Sequence, residues 1–227
     1  QDTIVTMSLA GKYLLVTAGP TIEPLDPVRF LSNHSTGKMG YAIAGELATR
    51  GARVALISGR TNLAAPAGVE RIDVLSAEEM YRAVMERFPQ ADGAVMCAAV
   101  ADYTPAQVST TKLKKGEGDL VIRLKRTKDI AAEAGRTKGG RLLVGFALET
   151  DHERDNALDK MRRKHFDFIV LNSLRDPGAG FAGDTNKITL MDAQGGIDEY
   201  PLETKSAAAV RIADRIERWF SDRPATR

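Results

Sequence analysis

Tyr13-Leu14-Leu15-Val16-Thr17-Ala18-Gly19 and Tyr41-Ala42-Ile43-Ala44-Gly45-Glu46-Leu47-Ala48 decide how this chain folds. The first is an apolar run of strand length, and the second is rich in small and apolar helix formers. Between them lies Arg29-Phe30-Leu31-Ser32-Asn33-His34-Ser35-Thr36-Gly37-Lys38-Met39-Gly40, polar and glycine-bearing. In an open parallel α/β sheet a strand-to-helix junction of this kind is where ligands sit. An anion held there faces the free N–H groups of a helix N-terminus.

Outward from this junction the pattern repeats. A helix from about Gly37 stops near Arg50-Gly51, and Arg53–Gly59 is a second buried strand. Val69–Leu75 reads as a third strand. Ser76 caps a helix through Phe88, with Glu79 at N3. Ala94–Val100 is a strand ending in Ala101-Asp102-Tyr103, and Thr104–Gly118 is a long loop of the kind that forms lids. Leu120–Leu124 alternates as a strand. Asp129 begins a further helix, Leu142–Thr150 is a strand, and a helix from Glu153 to about His165 aligns Leu158, Met161 and His165. Phe168–Asn172 is the last buried strand, followed by the glycine-rich Asp176-Pro177-Gly178-Ala179-Gly180. Lys187–Met191 and Ile197–Leu202 read as an antiparallel pair, and Ser206–Phe220 as a closing helix. The expected fold is α/β and Rossmann-like, with a mostly parallel sheet, flanking helices and a small antiparallel hairpin near the C-terminus. One domain is expected over 11–221, with tails at 1–10 and 222–227.

The totals set bounds. At 227 residues, 43% hydrophobic and 27% charged, the chain can bury a substantial core. A formal charge of +2 recruits neither nucleic acid nor an anionic membrane, so a basic site must be local. The single Cys97 excludes an internal disulfide and fits a reducing compartment. Neither a spanning apolar segment nor a secretory leader is evident, and a cytoplasmic location is expected. The chain opens on Gln1 without an initiator Met, which suggests a longer parent chain.

Neither standard nucleotide motif is present: Thr17–Thr21 lacks G-x-G-x-x-G, and Ser35-Thr36-Gly37-Lys38 lacks parts of a P-loop. What remains is anion recognition by backbone N–H groups, Ser35, Thr36 and Lys38. Asp102, at the end of an otherwise apolar strand, is either a turn cap or a carboxylate for Mg²⁺. Lys112, Lys114 and Lys115 form either a solvated face or mobile cations on a lid, and Arg123, Lys125, Arg126 and Lys128 add to the field. Cys97 reads as a small buried hydrophobe, His165 and Trp219 as packing residues, and His34 as a candidate contact. Three scattered histidines do not make a zinc site.

Four separated blocks resemble one family: Thr17–Thr21, Asp26–Gly40, Cys97–Tyr103 and Lys112–Lys115, with Gly145–Thr150 a fifth. They are similar to bacterial phosphopantothenate-cysteine ligases, and the similarity runs from about Gly11 to Phe220. The resemblance implies ligation of 4'-phosphopantothenate to L-cysteine, driven by CTP with Mg²⁺ or Mn²⁺, through an acyl-cytidylate. It implies that Asn33 holds the intermediate for amide formation, that Lys112 of the K-x-K-K flap acts in forming it, and that Arg29 is the catalytic arginine of the loop. Gly19, Ser35, Thr36 and Gly37 would line the triphosphate, Asp102 the cation, and Ala101 and Tyr103 the cytosine edge. Asp129, Ile130 and Phe146 would border the nucleotide. Thr127 and Lys128 stand where the family usually has Asn and Pro, and Leu148 where Ala is common. A homodimer is implied, which can belong to a larger oligomer with a flavoprotein decarboxylase domain; strands within Lys187–Leu202 could extend the sheet across its two-fold.

Two rivals fare worse on the same residues. A dehydrogenase should close its second strand with an acidic residue, where Ser58-Gly59-Arg60 stands. An RNA-binding module should interleave aromatics with its basic run, and Lys112–Lys128 has none.

Overall fold

The computed structural model describes residues 7–149, 152–173 and 183–223. The glycine-rich 176–180 stretch, Thr150 and the outermost tail residues lie outside them. The apolar runs form an eight-stranded sheet: β1 (Tyr13–Ala18), β2 (Arg53–Ser58), β3 (Val69–Asp73), β4 (Gly93–Met96), β5 (Leu142–Glu149), β6 (Phe168–Ser173), β7 (Ile188–Asp192) and β8 (Ile197–Glu199). Its order is β8-β7-β6-β5-β4-β1-β2-β3. The first six strands are mutually parallel, and β7 and β8 continue the sheet antiparallel.

Side-chain alternation divides the core into two layers. Leu14, Val16, Leu56, Val144 and Val170 pack on the side of α1 (Lys38–Thr49) and α5 (Lys205–Ser221). Leu15, Ile57, Leu143, Ile169 and Leu171 pack on the side of α2 (Ala77–Arg87), α3 (Ile130–Thr137) and α4 (Glu153–Arg163). Burial on both faces is why these strands read as continuous apolar runs. Each fully buried Leu or Ile contributes about 2 kcal/mol. Helix starts follow their caps: Ser76 Oγ accepts from Glu79 N, Asp129 Oδ1 from Ala132 N, and Thr204 Oγ1 from Ala207 N. Glu79 reaches one residue beyond the usual capping box, accepting from Leu75 N at 2.6 Å.

Four expectations are corrected. Leu120–Arg123 is not strand; the strand is Leu124–Arg126, because pairing with Tyr103–Pro105 sets its position and no core lies beneath the earlier apolar residues. Val121 is 89% exposed. α4 ends at Arg163, short of His165, which takes a left-handed conformation with φ 55° but still lines one surface hollow with Leu158 and Met161. Strand β4 ends at Met96, since the chain must leave the sheet to build the crevice described below. Leu9, placed in the N-terminal tail, is fully buried, with its N–H donating to Arg50 O. Trp219 does pack: its ring meets Phe220 edge-on, and Arg223 lies over it.

Candidate active site

Strand order reverses at β1, with β2 on one side and β4 on the other. Parallel strands that diverge in this way open a crevice at their carboxyl ends. Two lobes of about 430–440 Å³ each occupy it, sharing Ala98, Val100, Asp102, Phe146 and Lys160.

The first lobe is walled by Ala101–Tyr103, Arg126–Ala131 and Lys164. Its lining carries four basic side chains, Arg126, Lys128, Lys160 and Lys164, against two carboxylates, Asp102 and Asp129. Thr127 Oγ1 donates to Ala101 O at 2.6 Å and Thr127 N to Asp102 O at 2.9 Å, joining the two walls. Lys128 is turned to Glu78 and lies over the Tyr81 ring. Asp129 caps α3 and pairs with Lys164 at 2.9 Å. Burial works against its ionised form, but the Ala132 N–H and Lys164 prevail and lower its pKa. Lys160 donates to Phe146 O at 2.7 Å. Burial lowers its pKa and Lys164 adds repulsion, against the attraction of Glu149, Asp129 and Asp102.

The second lobe is bordered by Gly19, Asn33 and Ser35–Gly40 on one side and by Glu149, Asn172, Asn186 and Lys205 on the other. Its shape depends on missing side chains. Gly37, at φ 80°, caps α1, and a Cβ there would lie 3.3 Å from Gly19 Cα. At Gly59 a Cβ would lie 2.0 Å from Pro20 O. Asn33 Nδ2 donates to Ala99 O at 2.7 Å and its Oδ1 accepts from Ser35 N at 3.0 Å. One N–H of that amide is left over for a ligand. Lys38 pairs with Asp184 at 2.7 Å. Lys205 is buried, donates to Asn186 Oδ1 at 2.9 Å, and has its pKa lowered by burial and by Lys38. Burial pushes the Cys97 thiol up to about 12, with Lys205 opposing, so the lone cysteine carries no thiolate. Asn172 Oδ1 is buried on the lobe's wall with no hydrogen-bond partner among the described residues.

Of the residues singled out from sequence, Gly19, Asn33, Ser35, Thr36, Gly37, Ala101, Asp102, Tyr103, Asp129, Ile130 and Phe146 line one lobe or both. Arg29 and Lys112 line neither. Lys112 is exposed. The Arg29 guanidinium grips Asp26 Oδ2 and donates to Leu113 O at 2.5 Å.

Residues 9–220 match the family described as DNA/pantothenate metabolism flavoprotein C-terminal domain. The chain belongs to this family. Within it, the chain is 44% identical over 209 residues to the coenzyme A biosynthesis bifunctional protein CoaBC of Bacillus subtilis, covering 92% of this chain and 52% of that one. It is 50% identical over 215 residues to a protein of an unknown prokaryotic organism named cysteine/cysteine sulfinic acid decarboxylase, covering 94% of this chain and 60% of that one. The chain thus spans a little over half the length of these relatives. A crystal structure of the C-terminal domain of a CoaBC protein covers 96% of this chain and all of its own, at 40% identity and a TM-score of 0.84.

Lys160, Lys164, Asn172, Asn186 and Lys205 are the lining residues that sequence reasoning missed in this flavoprotein C-terminal-domain chain. Lys160 sits in α4 and Lys164 caps its end, among residues that are mostly exposed and charged, and Lys205 opens α5. Asn172 had a legible signal: a lone amide closing the apolar run Phe168–Leu171.

Proposed function

We propose that the chain joins 4'-phosphopantothenate to L-cysteine at the expense of CTP, giving CMP, pyrophosphate and 4'-phosphopantothenoylcysteine in coenzyme A biosynthesis. The carrying observation is the two-lobed crevice: a cation-rich lobe beside the Ala101–Tyr103 turn, opening past Asp102 and Lys160 into a lobe headed by Asn33. Two phosphate-bearing ligands that repel each other need such a divided, basic site. The family's sequence blocks and the CoaBC relatives support the same reading.

The first step bonds a substrate carboxylate oxygen to the α-phosphorus of CTP and expels pyrophosphate. The second bonds the cysteine nitrogen to the acyl carbon and expels CMP. Lys160 and Lys164 hold the nucleotide's phosphates in the first lobe, while the backbone of Ala101 and Tyr103 borders the base. Lys112, carried by the flap, meets charge developing on the phosphates. The free N–H of Asn33 donates to the acyl oxygen during the second step, orienting the carbon without adding charge.

No cluster of three His, Cys, Asp or Glu side chains able to hold a metal occurs among the described residues. The exposed Asp102 on the shared wall fits Mg²⁺ or Mn²⁺ that draws most of its ligands from phosphate and water. When bound, such an ion neutralises triphosphate charge.

We further propose a homodimer, with the exposed edge strand β8 available for pairing. The decarboxylase name of one relative supplies the rival reading, but decarboxylating a single amino acid does not call for a two-lobed basic crevice. Incubation with CTP, Mg²⁺, 4'-phosphopantothenate and cysteine should release pyrophosphate and CMP in equal amounts. Carbon dioxide from cysteine, with no pyrophosphate, would establish the rival.

A further inference from the structure

Asp26 lies outside both lobes, yet its carboxylate is the most heavily bonded side chain near them. Oδ1 accepts from Val28 N at 2.8 Å and Arg29 N at 2.7 Å. Oδ2 accepts from Arg29 Nε and Nη2, and from Leu113 N at 3.0 Å. The side chain is fully buried beneath a partly exposed Arg29. Arg29 completes the grip by donating to Leu113 O, so both polar groups of that peptide residue are held by one ion pair. Four residues earlier, Ser109 N donates to Leu25 O at 3.0 Å. Lys112 therefore sits between two points pinned to the 25–29 turn, while beyond it a Cβ added at Gly116 or Gly118 would meet nothing within 4 Å. The same turn leads through the Glu23–Pro24/Phe30–Leu31 ladder to Asn33.

We propose that Asp26 is the positioning residue of this enzyme: it touches no substrate, and through the clamp on Leu113 it sets where Lys112 stands relative to the Asn33 loop. This rests on the ligase reading for Lys112, but the clamp itself is testable apart from activity. A buried carboxylate that accepts from three backbone N–H groups and a guanidinium is rigidly placed, which a flap of glycine and lysine cannot achieve alone. Displacement of a reacting charge by about 1 Å can cost about 100-fold in rate.

The test uses Asp26→Asn, which keeps shape and volume but sets an N–H₂ group against the donors on Leu113 or Arg29. Trypsin should cut after Lys112, Lys114 and Lys115 at least about tenfold faster than in the parent protein, while the rest of the chain stays resistant. In the pyrophosphate assay kcat should fall about 100-fold, with KM for CTP changed less than about threefold. Asp26→Glu, which retains the acceptor, should recover part of both. Unchanged flap cleavage in a folded Asp26→Asn protein would overturn the proposal. If Asp26→Asn does not fold, Leu113→Pro removes the N–H donor while fixing φ there, and Leu113→Ala, which keeps the N–H, controls for the lost side chain; cleavage after Lys115 reads the same clamp, and equal rates in the two variants overturn it too. A parent protein that releases no pyrophosphate sinks the ligase reading, whereas the proteolysis still decides the clamp.

Discussion

Two loops enclose the crevice and are built on opposite principles. The wall, residues 19–37 after β1, is closed by backbone contact and hydrogen bonds: Gly19 on Gly37, Ser32 Oγ to Thr21 O, and Asn33 to Ala99 O and Ser35 N. The arm, residues 97–129 after β4, is tied at its base to Thr17, Gly19 and Thr21 and by the Tyr103–Pro105/Leu124–Arg126 ladder, and further out at Ser109 and Leu113, while 114–121 are exposed. A rigid wall holds an intermediate in one geometry, and a tethered arm can withdraw to admit and release ligands. In the proposed ligation, that difference would divide the two steps between the loops.

The largest effects should separate the two loops by step. Lys112→Ala should abolish the first-turnover burst of pyrophosphate, lowering kcat by roughly 10³-fold. Asn33→Ala should keep that burst and lose amide formation to a similar extent. Rapid-quench measurement of both products checks the pair. An intact burst in the arm variant, or amide yield unchanged in the wall variant, breaks the assignment.

Next in size is the wall's own packing. In Gly59→Ala the new Cβ would fall 2.0 Å from Pro20 O, a backbone atom that cannot swing away. Overpacking of this severity should cost about 3 kcal/mol, which lowers the melting temperature by roughly 10 °C in a chain of this size. Gly116→Ala, in the open arm, should leave it within about 1 °C. Comparable losses at both positions would show that the arm is as closely packed as the wall.

The same contrast decides what the sequence made legible. Wall and sheet were readable because burial on two faces leaves apolar runs, and because Gly19, Ser35 and Gly37 stand at a strand-to-helix junction that chain topology alone makes a site. The arm was not. Leu120–Leu124 alternates like a strand but has no core face to cover, and only cross-strand pairing with Tyr103 could show where the ladder starts. Lys160 and Lys164 were invisible for another reason: on α4 and at its C-terminal cap they have the spacing of a solvated face, and only the β4-β5-β6 order brings that helix end over the first lobe. Arg29 and Asp26 were visible as residues but not as a clamp, since Leu113 is 87 residues from Asp26 and the bond is to backbone.

Lys160 gives a smaller, pH-dependent effect at the junction of the lobes. Its folded pKa lies below the ordinary 10.5, so between the two values the unfolded chain binds more protons. Stability therefore rises with pH through that window, while the ammonium proposed to hold phosphate is lost. CTP affinity should fall about tenfold as pH is raised toward 10.5. Lys160→Arg should move the fall to higher pH, because a guanidinium keeps its charge. Calorimetric titration across pH checks this, and identical profiles in both proteins would exclude Lys160 as the phosphate contact.

The smallest effect should come from Thr127, at the base of the arm, where the chain departs from the Asn that the family resemblance leads one to expect. Its hydroxyl bond to Ala101 O is backed by Thr127 N to Asp102 O and by the adjoining Tyr103–Pro105/Leu124–Arg126 ladder. Thr127→Val keeps the β-branched shape and the N–H and removes only the hydroxyl, leaving a part-buried carbonyl short of one donor. A lost bond of this kind is worth about 1 kcal/mol, enough to raise KM for CTP a few-fold if the Ala101–Tyr103 turn loosens around the base. The remaining backbone bond holds Asp102 in place, so kcat should stay within about twofold. Steady-state kinetics with CTP and ATP side by side reads both quantities. A KM increase beyond about 30-fold, confined to CTP, would mean that the Thr127 hydroxyl touches the base itself and belongs to the ligand-binding wall, not to the hinge of the arm.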